Sequence, residues 1–247
     1  TEDISNLSPA TYIVTVTDAC SQTATETAIV NQPASLITSM AKTNVSCNGI
    51  GNGTATVNAS GGTSPYMYSW NNGQSNSTAN GLFPGFYSVN VVDVNGCFAS
   101  NNVTITQPQQ LSATTSVSYV SCNAGSDGSA DVTVGGGTAP FSFIWSNGET
   151  TEDVTALAAG NYSVTISDSC GAAVIQTALI SEPGILTTSP AISHVKCSSG
   201  NNGSVNLTVS GGVLPYTYFW SNSASTEDIS NLIAATYSVT ITDACSD

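Results

Sequence analysis

Leu157-Ala-Ala-Gly-Asn-Tyr-Ser-Val-Thr-Ile-Ser-Asp-Ser-Cys170 is one of four versions of a single stretch; the others run from Leu7 to Cys20, Leu82 to Cys97 and Leu232 to Cys245. Their tyrosines, Tyr12, Tyr87, Tyr162 and Tyr237, are 75 residues apart at each step. A fixed period of this kind marks an array of one small module rather than one large domain. Within the stretch, Tyr162, Val164 and Ile166 alternate with Ser163 and Thr165, the period of two that places one row of side chains on one face of a strand.

Working outward from it, Ala130-Asp-Val-Thr-Val134 and Phe141-Ser-Phe-Ile-Trp145 alternate in the same way, and Ala173 to Ile180 supplies a less regular final strand. Between them lie turn signals at Asn123 to Gly128, Gly135 to Pro140 and Asn147-Gly148, whose glycines supply the positive φ angles of tight hairpins. No apolar stripe of helical period occurs. Six or seven short strands per period predict an all-β chain, a tandem array of small immunoglobulin-like antiparallel β-sandwich modules.

On that fold the segment Leu157 to Tyr162 reads as a strand end, a corner and a tyrosine whose hydroxyl can satisfy the corner's backbone, with an ordinary core aromatic as the alternative. Trp70, Trp145 and Trp220 keep the same spacing. One tryptophan per small sandwich is expected at the centre of its core, and a sugar-stacking platform is the alternative.

Gln32-Pro33, Gln107-Pro108 and Glu182-Pro183 recur at the period and set the expected boundaries: the end of a repeat at 1–33, complete repeats at 34–108 and 109–183, and a repeat lacking its last strand at 184–247. Proline biases the preceding residue toward extended backbone and gives a short, stiff joint. Thr1 to Ala19 nearly copies Thr226 to Ala244, which reads as an internal excerpt of a longer array.

Only 7% of residues are charged, and two lysines, Lys42 and Lys196, against sixteen acids give a net charge of −14. Such a surface repels phosphate backbones and anionic membranes, so no nucleic-acid partner and no direct membrane insertion are expected. Catalysis is not expected either: His194 is the only histidine, and no nucleophile motif or metal-ligand cluster is present. Asp18, Asp93, Asp168 and Asp243 recur and Asp127 sits in a turn, but one acid per turn falls short of the six to eight oxygens of a calcium site. No cofactor is therefore expected, with calcium as the one candidate.

The seven cysteines follow the repeat, Cys47, Cys122 and Cys197 early in each copy and Cys20, Cys97, Cys170 and Cys245 closing the quoted stretch. Disulfides are the natural reading of an exported chain. Pairing within repeats gives Cys47 with Cys97, Cys122 with Cys170 and Cys197 with Cys245, leaving Cys20 to an upstream partner. Pairing between repeats gives Cys20 with Cys47, Cys97 with Cys122 and Cys170 with Cys197. The first is the expectation, since a loop of about 50 residues is worth roughly 4 kcal/mol by chain entropy. It requires a modified strand order, such as a direct hairpin at Asn147-Gly148, because the two cysteines would otherwise lie at opposite ends of a sandwich.

The copy from Val45 to Pro108 carries Ser46-Cys47, Gly61-Gly62, Pro65-Tyr66, Trp70, Asn72-Gly73, Leu82, Gly85, Tyr87, Asp93-Val-Asn-Gly-Cys97 and Thr104-Ile-Thr-Gln-Pro108. This pattern resembles the SprB-type repeat of very large surface adhesins of gliding Bacteroidota. Departures are Phe141 for the tyrosine after Pro140, Ala10 and Ala235 for the corner glycine, and the shorter Asp-x-Cys endings. The resemblance implies export by the type IX route and display at the outer surface, where gliding machinery moves the adhesin. The expected function is a structural stalk segment, its partners the neighbouring repeats of the same chain. The alternative is repeats that bind surface polysaccharide or associate with identical chains in a filament.

Overall fold

The computed structural model describes residues 3–246; Thr1, Glu2 and Asp247, which the expected boundaries 1–33 and 184–247 include, lie outside the described residues. The chain divides into two compact units between Pro108 and Gln109.

In the first unit, β1 (Ala10–Thr17) and β2 (Thr23–Val30) form an antiparallel hairpin. Six strands follow: β3 (Ile37–Thr43), β4 (Gly53–Ser60), β5 (Met67–Trp70), β6 (Thr78–Leu82), β7 (Gly85–Val92) and β8 (Phe98–Ile105). They make two three-stranded antiparallel sheets, ordered β3-β4-β6 and β5-β7-β8.

The second unit repeats this plan. β9 (Ser112–Ser118), β10 (Gly128–Gly135) and β12 (Val154–Leu157) form one sheet, and β11 (Ser142–Trp145), β13 (Gly160–Ser167) and β14 (Ala173–Ile180) the other. In the next repeat β16 (Gly203–Ser210) lies between β15 (Thr187–Ser193) and β18 (Ile229–Leu232), and β17 (Thr217–Trp220) pairs with β19 (Val239–Thr242). No described residue is helical. Each complete repeat is an immunoglobulin-like sandwich of constant-type strand pairing, reduced to six strands.

The Asn147-Gly148 step does not make a direct hairpin. β11 pairs with β13 and β12 crosses to β10 in the other sheet, because Trp145 and Val154 must both face the space between the sheets. The strand order is therefore unmodified, with a consequence for the cysteines described below.

Alternation decides what is buried. Ala130 and Val132 of β10 and Val164 and Ile166 of β13 point inward and meet Trp145, Leu157 and Ile180 in one cluster. Separate clusters surround Trp70 and Trp220. Each core is thus self-contained, and all three tryptophans are nearly inaccessible, Trp145 being 2% exposed. Their indole N–H groups donate to main-chain oxygens six residues on: Trp70 to Asn76 at 2.8 Å, Trp145 to Thr151 at 3.0 Å and Trp220 to Thr226 at 2.9 Å. An indole buried with its one polar group satisfied is a core anchor whose faces are closed to a sugar ring.

Candidate functional site: the joint between repeats

The residues that sequence repetition singles out converge on the chain between one sandwich and the next. Early in each repeat, a loop after the first strand carries the cysteine. In the second repeat its fold is fixed by Asp127, which accepts from the Ser121 N–H at 2.9 Å and from the Ser121 hydroxyl at 2.5 Å. The hydroxyl, more than any other group, holds the Asp127 carboxyl below its ordinary value. Asn52 and Asn202 do the same structural work in the flanking repeats, accepting from the N–H of Ser46 and of Lys196 at 3.1 Å each.

That loop grips the proline linker at the end of its own repeat. The Asn123 side-chain amide donates to the Pro183 carbonyl at 2.9 Å, and the Ala124 N–H donates to the Glu182 carboxylate at 2.7 Å. In the first unit Asn48 donates to the Pro108 carbonyl at 2.9 Å and the Gly49 N–H to Gln107 Oε1 at 2.9 Å. Linker peptide groups that would otherwise be solvated and mobile are tied to the sandwich.

Beyond the proline, the Gly-Gly loop of the next repeat takes over. Gly212 N–H donates to the Gly184 carbonyl at 2.7 Å. Its neighbour Gly211 has φ of 75° and passes so close to the linker that a Cβ would lie 2.0 Å from the Ile185 oxygen. Both the left-handed backbone and the close approach restrict this position to glycine.

The recurring aspartate binds this loop to the closing turn. Asp243 accepts from the Val213 N–H and the Cys245 N–H, both at 2.8 Å, and Asp93 accepts from Thr63 at 2.8 Å, Asn95 at 2.9 Å and Cys97 at 2.8 Å. Asp168 accepts from Thr138, Cys170 and Ala172, and Asp18 from Cys20 and Gln22. These carboxylate oxygens are directed at main-chain donors, which accounts for the repetition of the acid. The Thr63 N–H chiefly holds the Asp93 carboxyl below its ordinary 3.8, burial opposes, and the Cys97 and Asn95 N–H groups add to the lowering. A folded pKa below the unfolded one gives stability that is present above the unfolded value and lost as pH falls through the folded one. Wild-type melting temperature should therefore drop on acidification below pH 3.8, and Asp93→Asn should flatten that part of the profile, as calorimetry at stepped pH would read.

Cys122 and Cys245 are joined by a disulfide with Cα atoms 5.8 Å apart and 123 residues between them in sequence. Cys97 and Cys197 are free thiols, as is Cys20, while Cys47 and Cys170 are not free. The expected pairs Cys47 with Cys97, Cys122 with Cys170 and Cys197 with Cys245 are thus not formed, nor are the alternative pairs of Cys20 with Cys47, Cys97 with Cys122 and Cys170 with Cys197. The reason is the unmodified strand order. The early loop and the closing turn of one sandwich lie at opposite ends, whereas the early loop that carries Cys122 meets the closing turn of the following repeat across Pro183. Around Pro183-Gly184 the linkage is a ring: Asn123 to Pro183, Gly212 to Gly184, Val213 to Asp243, and Cys245 back to Cys122.

The tyrosines of the opening stretch occupy corners. Tyr12, Tyr87 and Tyr162 donate to the carbonyls of Ser8, Phe83 and Ala158 at 2.8, 3.0 and 3.1 Å, and Tyr237 to Ile233 at 3.4 Å, each four residues upstream. This is the tyrosine corner of immunoglobulin-like sandwiches, here half-buried. Removing the hydroxyl with Tyr87→Phe should cost about 1 kcal/mol, read as a lower urea midpoint with unchanged slope. A second set that sequence reading missed follows a cis proline: Tyr66 donates to the Gly61 carbonyl at 2.6 Å and Tyr216 to Gly211. The Pro-Tyr dipeptide at constant distance from Gly-Gly was its available signal.

The segments that carry the early cysteine, Gly-Gly and the tryptophan fall within matches to a known family. The model of the SprB repeat matches residues 39–75, 114–150 and 189–225. Three stretches of this chain match the SprB repeat. Each match starts in the first strand, spans the early cysteine loop and ends just after the turn that follows the tryptophan. The aspartate, the corner tyrosine and the closing cysteine thus lie beyond the matched SprB segments. No protein with a curated description matches the chain. Among solved structures it is similar to Sidekick-1 immunoglobulin domains 1-5, at 12% identity and TM-score 0.41 over 88% of this chain and 56% of that one. It is also similar to the N-terminal eight immunoglobulin domains of Down syndrome cell adhesion molecule, at 12% identity and TM-score 0.31 over 88% and 36%.

Proposed function

We propose that this chain is a structural stalk segment of a long, exported cell-surface adhesin or filament that supports adhesion and gliding. The observation that carries the reading is the joint: side chains on both sides of Pro183 are committed to holding two sandwiches together, one of the links is covalent, and each core is separate. An array of such modules changes length by whole repeats without refolding the rest. The recurring acids and tyrosines serve the main chain in this reading, and no catalytic step is assigned to them. Polypeptides carrying increasing numbers of the repeat should appear in electron micrographs as rods whose length rises linearly with repeat number; collapsed particles or freely jointed beads would reject the stalk. Surface display is checked by protease treatment of intact cells, which should remove the chain.

A second reading, lateral association with identical chains, is favoured by one feature. Ile144 and Ile175 lie in one row across β11, β13 and β14 on the outward face, exposed by 62% and 67%. Ile175→Lys should abolish any concentration-dependent growth in sedimentation coefficient if this face holds filaments together.

A further inference from the structure

The first unit contains the downstream half of a joint without its upstream loop. Gly62 N–H donates to the Ala34 carbonyl at 2.6 Å, and Asp93 accepts from Thr63 and Cys97 at 2.8 Å each. Gly212, Val213 and Cys245 make the same three bonds in the closed joint, at 2.7, 2.8 and 2.8 Å. Against this half-joint lies a cavity of about 470 Å³ lined by Gln32, Pro33, Ala34, Gly62, Cys97 and Phe98. The Cys97 thiol is free and exposed. In the closed joint the corresponding residues Glu182, Pro183 and Cys245 are all bonded to one loop, Cys122-Asn123-Ala124.

We propose, building on the stalk reading, that this cavity is a docking site for the Ser-Cys-Asn loop of another repeat of this kind, placed N-terminal in the same array, and that Cys97 bonds the loop's cysteine. The chemistry of the site selects that loop. An asparagine amide reaches the Pro33 carbonyl, a main-chain N–H reaches the Gln32 side chain as Gly49 reaches Gln107, and a thiol meets Cys97. The Cys122–Cys245 bridge and the bond to Cys97 are then two rungs of one kind, each joining the early cysteine of a repeat to the closing cysteine of the following repeat. The rung forms by exchange with an external disulfide such as glutathione disulfide. One thiolate displaces a glutathione thiolate to give a mixed disulfide, and the second thiolate displaces the other, so that one disulfide bond replaces another and two glutathione thiols leave.

The test extends the full chain in register. A copy of residues 109–150 placed before Thr1 runs on correctly, because Thr1-Glu2-Asp3 matches Thr151-Glu152-Asp153, and it supplies the early loop of the repeat that residues 1–33 complete. After equilibration with glutathione disulfide, the free-thiol count should fall from the three of the parent chain to two, although one cysteine has been added. Non-reducing peptide mapping should link the added copy of Cys122 to Cys97, and Cys97→Ser in the extended chain should return the count to three. A second extension with residues 184–225, carrying Cys197, guards against a misfolded addition. Four free thiols in both chains, or a bond from the added cysteine to Cys20, overturns the proposal, as does loss of the Cys122–Cys245 pair. Rod-like particles in micrographs alongside four free thiols would retain the stalk and remove the second rung.

Discussion

Held by bio-orthogonal handles at the exposed residues Tyr119 and Ser246, the oxidised chain should not lengthen under forces that unfold ordinary sandwiches, and reduction should release about 440 Å, at ~3.6 Å per extended residue across the 123 residues closed by the bridge. The reason is the path of the load. Tension entering just before Cys122 crosses the sulfur–sulfur bond to Cys245 and leaves just after it. The two sandwiches between them carry no tension while the bond is intact. By chain entropy the same bridge is worth about 5 kcal/mol, so its reduction both exposes the modules to force and lowers the stability they resist it with. Equal extension before and after reduction would mean that the bridge does not carry the load. A bridge confined to one repeat would instead give steps of a single module.

The alternating strands were legible in the sequence, because Ala130, Val132, Val164 and Ile166 are buried on a strict period of two. β9 and β12 were not. Ser112–Ser118 is an edge strand of serine and threonine whose few apolar side chains are half-buried, and Val154–Leu157 is four residues long with Ala156 at φ of 58° and a register shift opposite it. Such segments are strands because of what they pair with, which periodicity does not report. The tyrosine corner was legible as one of two alternatives, and its decision rests on a hydroxyl position that sequence does not encode.

The cysteine pairing was hidden for a different reason. When every early and every closing cysteine recurs at one period, pairing within repeats and pairing across a joint satisfy the same spacing equally well. Only the opposite placement of early loop and closing turn on each sandwich separates the two. The aspartates were hidden behind their own chemistry, since a recurring acid in a turn suggests a cation as readily as a main-chain clasp. A usable signal existed: Gly-Gly precedes the aspartate by a constant interval, Gly62 with Asp93, Gly137 with Asp168 and Gly212 with Asp243. Two loops held at fixed separation in three copies imply a contact between them.

Trp145→Ala should cost 3–5 kcal/mol, the range for deleting a buried tryptophan from a packed core. Its ring is 2% exposed among Val132, Leu157, Val164, Ile166 and Ile180, drawn from both sheets, so the cavity left cannot close without the sheets moving together. The mutation also strips the Thr151 carbonyl of its indole donor. Trp145→Phe keeps most of the volume and loses mainly that bond and part of the ring, so it should cost distinctly less. Domains of ordinary size have only about 5–15 kcal/mol in total, which puts the alanine variant of so small a core near the edge of folding. Urea unfolding followed by Trp220 fluorescence, with Trp70 replaced by Phe, reads whether the effect reaches the neighbouring repeat. The Trp220 signal should shift although its core is separate, because its repeat shares a covalent joint with the damaged one. A loss below about 1 kcal/mol would contradict a core role and restore the ring as a surface group. A Trp220 midpoint that moves with the loss would instead show that the joint, and not the sandwich, is the unit through which these two repeats depend on one another.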